Sequence, residues 1–324
     1  MLFDRLMELK QTGRALFLPD KDAYMEVVRK KIEISSELDA LWEDGFSGLT
    51  INALYDGDAI ASWETVMHIT GDASLFAHLE TIYLGILARR TRIATNVRNV
   101  VRAANGALVL YFPARFDHWA VQGGDGYAAH IGGASGVSTD AQAGWWGAKG
   151  SGTVPHALIA ATGGDTMTAV RMFGESYPEA NLVALVDFAN DSVATALECC
   201  RALGDRLWGV RLDTSENMVD RSLIPVMGRF APTGVVPELV FMTREALDRE
   251  GFHGVKIIVS GGFTPERISQ FVKMGAPVDV FGVGSCLVRG QFDYTADIVR
   301  VAGRHCAKEG RSFSPNPRLE RVNA

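Results

Sequence analysis

Cysteine is scarce in this chain: Cys199, Cys200, Cys286 and Cys306 are the only four among 324 residues. Their spacing fits neither a zinc site nor a disulfide framework. Adjacent Cys199 and Cys200 fall on a predicted helix and point in different directions, so the cysteines are read as reduced core thiols of a cytosolic protein. Excess positive charge is missing as well. The 32 Lys and Arg against 38 Asp and Glu leave a formal net charge of −6, and a duplex-binding surface must be basic to neutralise phosphates. No nucleic-acid partner is expected. No apolar run reaches membrane-span length, and Met1 to Lys10 mixes charged with apolar residues without a signal-peptide core. A soluble, cytoplasmic protein with no membrane partner is the expectation. Internal repeats and low-complexity tracts are absent too, so no repeat array is anticipated.

What the chain does have is glycine, 34 in all, and two glycine clusters follow apolar strands. Val255 to Ser260 runs into Gly261 and Gly262, and Val278 to Phe281 runs into Gly282, Val283, Gly284 and Ser285. Glycines let backbone N–H groups approach an anion closely, and a following helix aims its positive end at the same spot. Thr264, Pro265 and Glu266 supply such a helix with an N-cap, an N1 proline and a first-turn acid, and Gly275 closes it. Two successive turns of this kind predict a phosphate cradle at the C-terminal face of a (β/α) barrel. The plainer reading is two tight turns without a ligand.

From about Leu108 onward, apolar strands (Leu108 to Phe112, Leu182 to Phe188, Leu207 to Leu212, Val255 to Val259, Val278 to Phe281) alternate with helical stretches. The helices are Asp165 to Phe173, Asp191 to Leu203 with Asp191 as N-cap, Glu238 to Arg249 and Pro265 to Met274. Shorter units at Ile131 to Val137 and Gly152 to His156 raise the strand count to six or seven. The predicted fold class is α/β, an incomplete (β/α) barrel over residues 108–287, with an open doubly wound sheet as the alternative. Residues 1–107, with helices near Tyr24 to Leu41 and Phe76 to Ala104 and short strands near Ile60 to Ile69, read as an α+β domain. The tail, 288–324, is expected to return to that domain and complete it. Thr214 to Pro237, without periodicity, reads either as a mobile loop over the site or as disordered surface.

Function is sought just after each strand. Arg115, Asp117 and His118 follow the first strand, Asp187 and Asp191 the next, and Arg211 and Asp213 the third, while Ser151, Thr153 and His156 occupy a glycine-rich turn. Arginines present planar cations to carboxylate or phosphate, and several carboxylates facing a phosphate call for a divalent ion between them, which predicts Mg²⁺ and an anionic substrate. Arg211 and Asp213 are equally readable as an ion pair sealing the barrel end. A lone His156 is more often a core histidine than a catalyst. Arg89, Arg90, Arg92, Arg98 and Arg102 read as a solvated helix face.

Several ordered segments carry a resemblance: LETIYLGIL at Leu79 to Leu87, RIAT at Arg92 to Thr95, ARFDH at Ala114 to His118 and IGGASGVS at Ile131 to Ser138. SGTVPH at Ser151 to His156, GVRLDT at Gly209 to Thr214, VKIIVSGG at Val255 to Gly262, FGVGS at Phe281 to Ser285 and NPRLERV at Asn316 to Val322 continue it. Together they resemble the nicotinate phosphoribosyltransferase family. The resemblance implies transfer of phosphoribosyl from phosphoribosyl pyrophosphate to the ring nitrogen of nicotinate, usually with ATP as co-substrate, in a homodimer with a shared active site. It implies that Ser260, Gly261, Gly262, Gly282, Gly284 and Ser285 hold the ribose 5-phosphate, and that Asp187 and Asp213 face ribose and Mg²⁺-pyrophosphate. Arg115 and Arg211 clamp anionic groups. His118, Ser135, Ser151 and Thr153 line the substrate site, and His156 takes phosphate from ATP. Tyr24 is lent by the neighbouring subunit. Phe116, Trp119, Ser135 and Phe188 depart from the family pattern, Ser135 removing a negative charge near a carboxylate substrate. Quinolinate, with Arg221 and Arg229 as further cations, and a catalytically silent pyridine-nucleotide binder are the alternative readings.

Overall fold

The computed structural model describes residues 48–322, so Tyr24 and the predicted helix Tyr24 to Leu41 lie outside the described residues. The chain divides into two compact units, one holding residues up to Thr91 and from Gln291 onward, the other Arg92 to Gly290. The division falls inside the 25-residue helix α1 (Glu80–Ala104), not after it at 107/108.

In the first unit, β1 (Thr50–Ala53) pairs antiparallel with β2 (Met67–Thr70). Of the predicted Ile60 to Ile69 region, only its end is strand. The tail returns as expected: after the hairpin β9 (Arg300–Val301) and β10 (Arg304–His305), β11 (Glu320–Arg321) adds to the other edge of β1. Ile51, Ala53, Tyr83, Ile86 and Val322 form the unit's buried cluster. The NPRLERV segment does the pinning: Arg318 Nη1 donates to Glu64 Oε1 at 2.6 Å and to Ala59 O at 3.0 Å. Asn316 Nδ2 donates to Thr65 O at 2.8 Å.

The second unit is a six-stranded parallel sheet. Its strands are β3 (Leu108–Tyr111), β4 (Gly136–Val137), β5 (Leu182–Leu185), β6 (Leu207–Leu212), β7 (Lys256–Val259) and β8 (Val280–Val283), in the spatial order 4-3-8-7-6-5. All five pairings are parallel, so every strand end that follows the chain direction lies on one face. β5 and β8 are buried at every residue, as strands covered on both faces must be, which is why they read as unbroken apolar runs. The helices are α2 (Gln122–Gly132), α3 (Asp140–Ala143), α4 (His156–Ala161), α5 (Thr166–Ser176), α6 (Ser192–Leu203), α7 (Pro237–Arg249) and α8 (Pro265–Lys273). Gly152 to His156 is not a strand: it is an extended turn that ends as α4 begins. β4 and β5 therefore remain unpaired edges, and the barrel stays incomplete.

Two local expectations change. Asp191 stands at the N-cap position of α6 but makes no capping bond. Instead, Asp220 reaches in from the 214–237 segment, accepting from Ser192 N at 3.1 Å, Ser192 Oγ at 2.6 Å and Ser222 N at 2.9 Å. That segment is folded, with a 3₁₀ helix over Arg221–Val226 and a bridge between Val219 and Thr233, and Leu223 and Val235 are fully buried. It is neither disordered nor a loose flap. Of the thiols, Cys199 and Cys200 are core residues, and burial pushes them up to about 12 and about 11. Cys286 is half-buried and Cys306 exposed, so the reading of all four as core thiols does not hold.

Because Asp220 has no exposure, removing its carboxylate strands the donors of Ser192 in the interior. Asp220→Ala is expected to cost about 2–4 kcal/mol of unfolding free energy in urea titration. A loss under about 0.5 kcal/mol would show that the contact is incidental.

Candidate active site

The turn after β7 is where backbone and charge meet. Gly261 and Gly262 have φ values of +95° and +66°, which only glycine adopts cheaply. Both are exposed, and among the described residues no hydrogen bond takes up the N–H of either. Phe263, the next residue, is 3 % exposed and packs edge-on to Phe271 and Phe281 at 5.0 and 5.5 Å between ring centroids. Burying that ring contributes about 1.5–3 kcal/mol and anchors an otherwise pliable turn. Thr264 caps α8 by accepting from Arg267 N at 3.4 Å, so the helix's positive end opens toward the turn.

Arg211, near the end of β6, joins three loops. Its Nε donates to Ser260 Oγ at 2.8 Å, Nη1 to Thr153 Oγ1 at 2.7 Å and Nη2 to Asp213 Oδ2 at 2.9 Å. Ser260 Oγ in turn donates to the other Asp213 oxygen at 2.6 Å. Below the guanidinium lies the Phe112 ring, 5.5 Å away. Three of the five arginine donors are thus spent on protein, so Arg211 is the ion pair of the plainer reading and a scaffold for Asp213.

His156 begins α4 because Pro155, in extended conformation, starts the helix. Its Nε2 lies 3.0 and 3.1 Å from the two oxygens of Asp187, which follows β5. With Asp187 ionised, Nε2 carries the proton and Nδ1 turns the other way. The hydrogen bond to Asp187 raises the His156 pKa above the ordinary histidine value, burial opposing and the charges of Asp187 and Asp213 assisting. His156, Asp187 and Asp213 bring ligand atoms within 4.8 Å of one another. Phe188 flanks the imidazole, with ring centroids 6.5 Å apart.

Other predicted residues fall elsewhere. Ser135 precedes β4 and bonds to Val109 at the entry end of β3, its Oγ accepting from Val109 N at 3.3 Å. It therefore lies at the opposite end of the strands, and its missing charge does not bear on the cluster. His118 Nδ1 accepts from Ala120 N at 3.2 Å and caps a short turn. Ser151 bonds through its N–H to Val137 O at 2.6 Å, beside β4. Gly282 is a strand residue, not a turn: its absent Cβ leaves space for Phe112, whose Cε2 lies 2.7 Å from where that atom would sit. Gly284 is covered by Phe116, 2.8 Å from the same point on that residue, and Ser285 opens the 3₁₀ helix Ser285–Val288. Within the second glycine cluster, Gly282 and Gly284 thus accommodate aromatic rings, while Gly284 and Ser285 remain half-buried with no hydrogen bond on their N–H groups among the described residues. Arg115, exposed, stands over Phe116 with its guanidinium 5.5 Å from the ring. Sequence reasoning missed Arg267, Glu216 and Phe112. For Arg267 a signal existed, since a cation in the first turn of a helix opposes the dipole and calls for another reason.

No family model matches the chain. A nicotinate phosphoribosyltransferase (pncB1) of Mycobacterium tuberculosis is 29% identical over 255 residues, 77% of this chain and 52% of that protein. The nicotinate phosphoribosyltransferase of Bacillus subtilis is 26% identical, covering 73% and 45%. The chain therefore spans about half the length of the curated relatives it matches. Among solved structures, nicotinate-nucleotide pyrophosphorylase from Pyrococcus furiosus superposes with a TM-score of 0.70 at 34% identity, over 86% of this chain and 69% of that one. Human nicotinic acid phosphoribosyltransferase shares the fold, with a TM-score of 0.62 at 15% identity over 86% and 63%. The incomplete parallel barrel and these likenesses place the chain in the class of type II phosphoribosyltransferases. At 34% identity over 69% of that protein, the chain belongs to the family of the Pyrococcus furiosus nicotinate-nucleotide pyrophosphorylase, and it is similar to the curated nicotinate phosphoribosyltransferases.

Since Asp187 favours charged His156, the pair supports the fold fully below about pH 6.5 and loses that support as pH rises through the raised native pKa. An NMR titration of the His156 ring is expected to give a pKa above 6.5 that falls in Asp187→Asn. A value at or below 6.5 in the unmodified protein contradicts the pairing.

Proposed function

We propose that this protein transfers phosphoribosyl from phosphoribosyl pyrophosphate to the ring nitrogen of nicotinate, releasing nicotinate mononucleotide and pyrophosphate for NAD biosynthesis. The observation that carries this reading is the exposed Gly261–Gly262 turn, with unclaimed N–H groups, set beside an Asp213 carboxylate that Arg211 and Ser260 hold at both oxygens. The turn suits a ribose 5-phosphate and Asp213 the ribose itself. As the bond at the anomeric carbon breaks, positive charge grows on the sugar. A carboxylate already fixed in place stabilises that charge without reorganising.

Nicotinate carries one carboxylate. With Arg211 committed to protein, Arg115 on the β3 loop is the cation assigned to it. Quinolinate, with two carboxylates, asks for a further cation beside Arg115. For ATP coupling, Nδ1 of His156 is the nucleophile: it takes the γ-phosphoryl group as ADP leaves, and Asp187 keeps the imidazole oriented through Nε2. Asp187 and Asp213 supply the oxygens that suit Mg²⁺. Their oxygens already serve His156, Arg211 and Ser260, so the set fits an ion that keeps its waters and travels with pyrophosphate. When bound, that ion offsets the charge of the leaving pyrophosphate.

The active form is proposed as a homodimer in the cytoplasm, with Tyr24 of one subunit completing the site of the other. Trp119, 79 % exposed on the β3 loop, suits a face that a second copy covers. Among the described residues, no helix is long and apolar enough to cross a membrane.

The test is mass-spectrometric detection of mononucleotide from nicotinate, nicotinamide and quinolinate offered in competition with phosphoribosyl pyrophosphate, with and without ATP. Nicotinate mononucleotide should dominate, with ATP raising its yield in the unmodified protein but not in His156→Ala. Preferential use of quinolinate, or equal ATP stimulation of both proteins, would overturn the substrate or the coupling assignment respectively.

A further inference from the structure

A peptide between two glycines at positive φ turns over at little steric cost, so the Gly261–Gly262 unit needs an outside contact to face one way. Arg267 makes that contact. Its Nη1 donates to Gly261 O at 2.8 Å and its Nη2 to Val235 O at 2.6 Å, while the guanidinium lies 4.6 Å from the centroid of the buried Phe263 ring.

The surroundings close around this side chain. A Cβ on Gly262 would sit 3.6 Å from Arg267 Nη1 and 3.7 Å from Glu216 Oε2. A Cβ on Gly234 would sit 3.4 Å from Arg267 Nη2 and 3.2 Å from Glu216 Cα, and Gly234 is itself at φ +75°. One end of the 214–237 segment thus bonds the guanidinium through Val235, and Glu216 at the other end stands near enough to act on its charge. Arg267 occupies the first turn of α8, where the helix dipole disfavours a cation. Burial also lowers its pKa, with Glu216 acting against that. The two carbonyl bonds and the contact with Phe263 offset both effects.

We propose that Arg267 is a positioning residue for the phosphate site: it holds the Gly261 carbonyl and thereby aims the Gly262 N–H at the ribose 5-phosphate. In a trans peptide the C=O and N–H of one unit point in opposite directions, so fixing the oxygen fixes the hydrogen. Arg267 faces the carbonyl side and does not touch the ligand. This inference rests on the phosphate reading of the turn.

The experiment measures equilibrium binding of ribose 5-phosphate to the full chain, alongside steady-state KM and kcat. Arg267→Ala is expected to weaken ribose 5-phosphate binding about tenfold and to raise KM for phosphoribosyl pyrophosphate by a similar factor. KM for nicotinate and kcat should stay within about twofold. If Arg267→Ala does not fold, Arg267→Lys keeps the charge without the two-carbonyl grip and is expected to show the same pattern at smaller size. Unmodified protein that binds ribose 5-phosphate, with variants that bind it equally well, overturns the positioning role and leaves the phosphate reading standing. Comparable losses in both KM values and kcat overturn it in favour of a general structural role. Failure of the unmodified protein to bind ribose 5-phosphate removes the phosphate reading and this inference with it.

Discussion

One guanidinium, that of Arg211, is the contact on which the site depends. It leaves β6 and meets Thr153 before α4, Asp213 at the strand end and Ser260 at the start of the glycine turn. A planar cation with fixed donor directions sets three loops at once, which a lysine, a flexible point charge, does not do. Its own position is set by Phe112, whose ring rests against Gly282 in β8. A side chain on Gly282 would displace the ring, and through it the arginine. Strand packing is therefore transmitted to the carboxylate by one ring and one ion pair.

Two charged pairs result, with different freedom. Asp213 is held at both oxygens, as suits a group that meets growing charge without rearranging. Among the described residues the Asp187 carboxylate bonds to His156 alone, and that imidazole is 45% exposed. The fixed pair sits beside the Gly261–Gly262 turn, and the pair with the more exposed imidazole at the start of α4. In the proposed reaction, the first governs ribose and the second phosphoryl capture.

Much of this was legible in the residues. Buried parallel strands announce themselves as apolar runs, and five of the six sheet strands in the second unit are found where such runs occur. Thr264-Pro265-Glu266 marks a helix start because its chemistry is local. What failed was non-local. Asp191 lost its capping role to Asp220, 29 residues further on, because a buried acceptor from a folded segment satisfies Ser192 better. Ser135 seemed near the substrate through motif position, yet β4 is only two residues long and the serine lies before it. Gly282 carries the same letter as Gly261, but it sits in a strand where its missing Cβ makes room for an aromatic ring, a distinction visible only once Phe112 is placed. The 214–237 segment lacks periodicity because its order comes from Asp220, Leu223 and the buried stretch 234–237, which follow no helix or strand spacing.

The central claim is that this scaffold leaves the Gly261–Gly262 amides facing the ribose phosphate. A crystal structure of the protein with nicotinate mononucleotide tests it most directly. The account predicts phosphate oxygens within hydrogen-bonding reach, about 2.7–3.2 Å, of the Gly261 or Gly262 nitrogen, with the ribose beside Asp213. A phosphate seated away from that turn, with the two amides facing solvent, would contradict it.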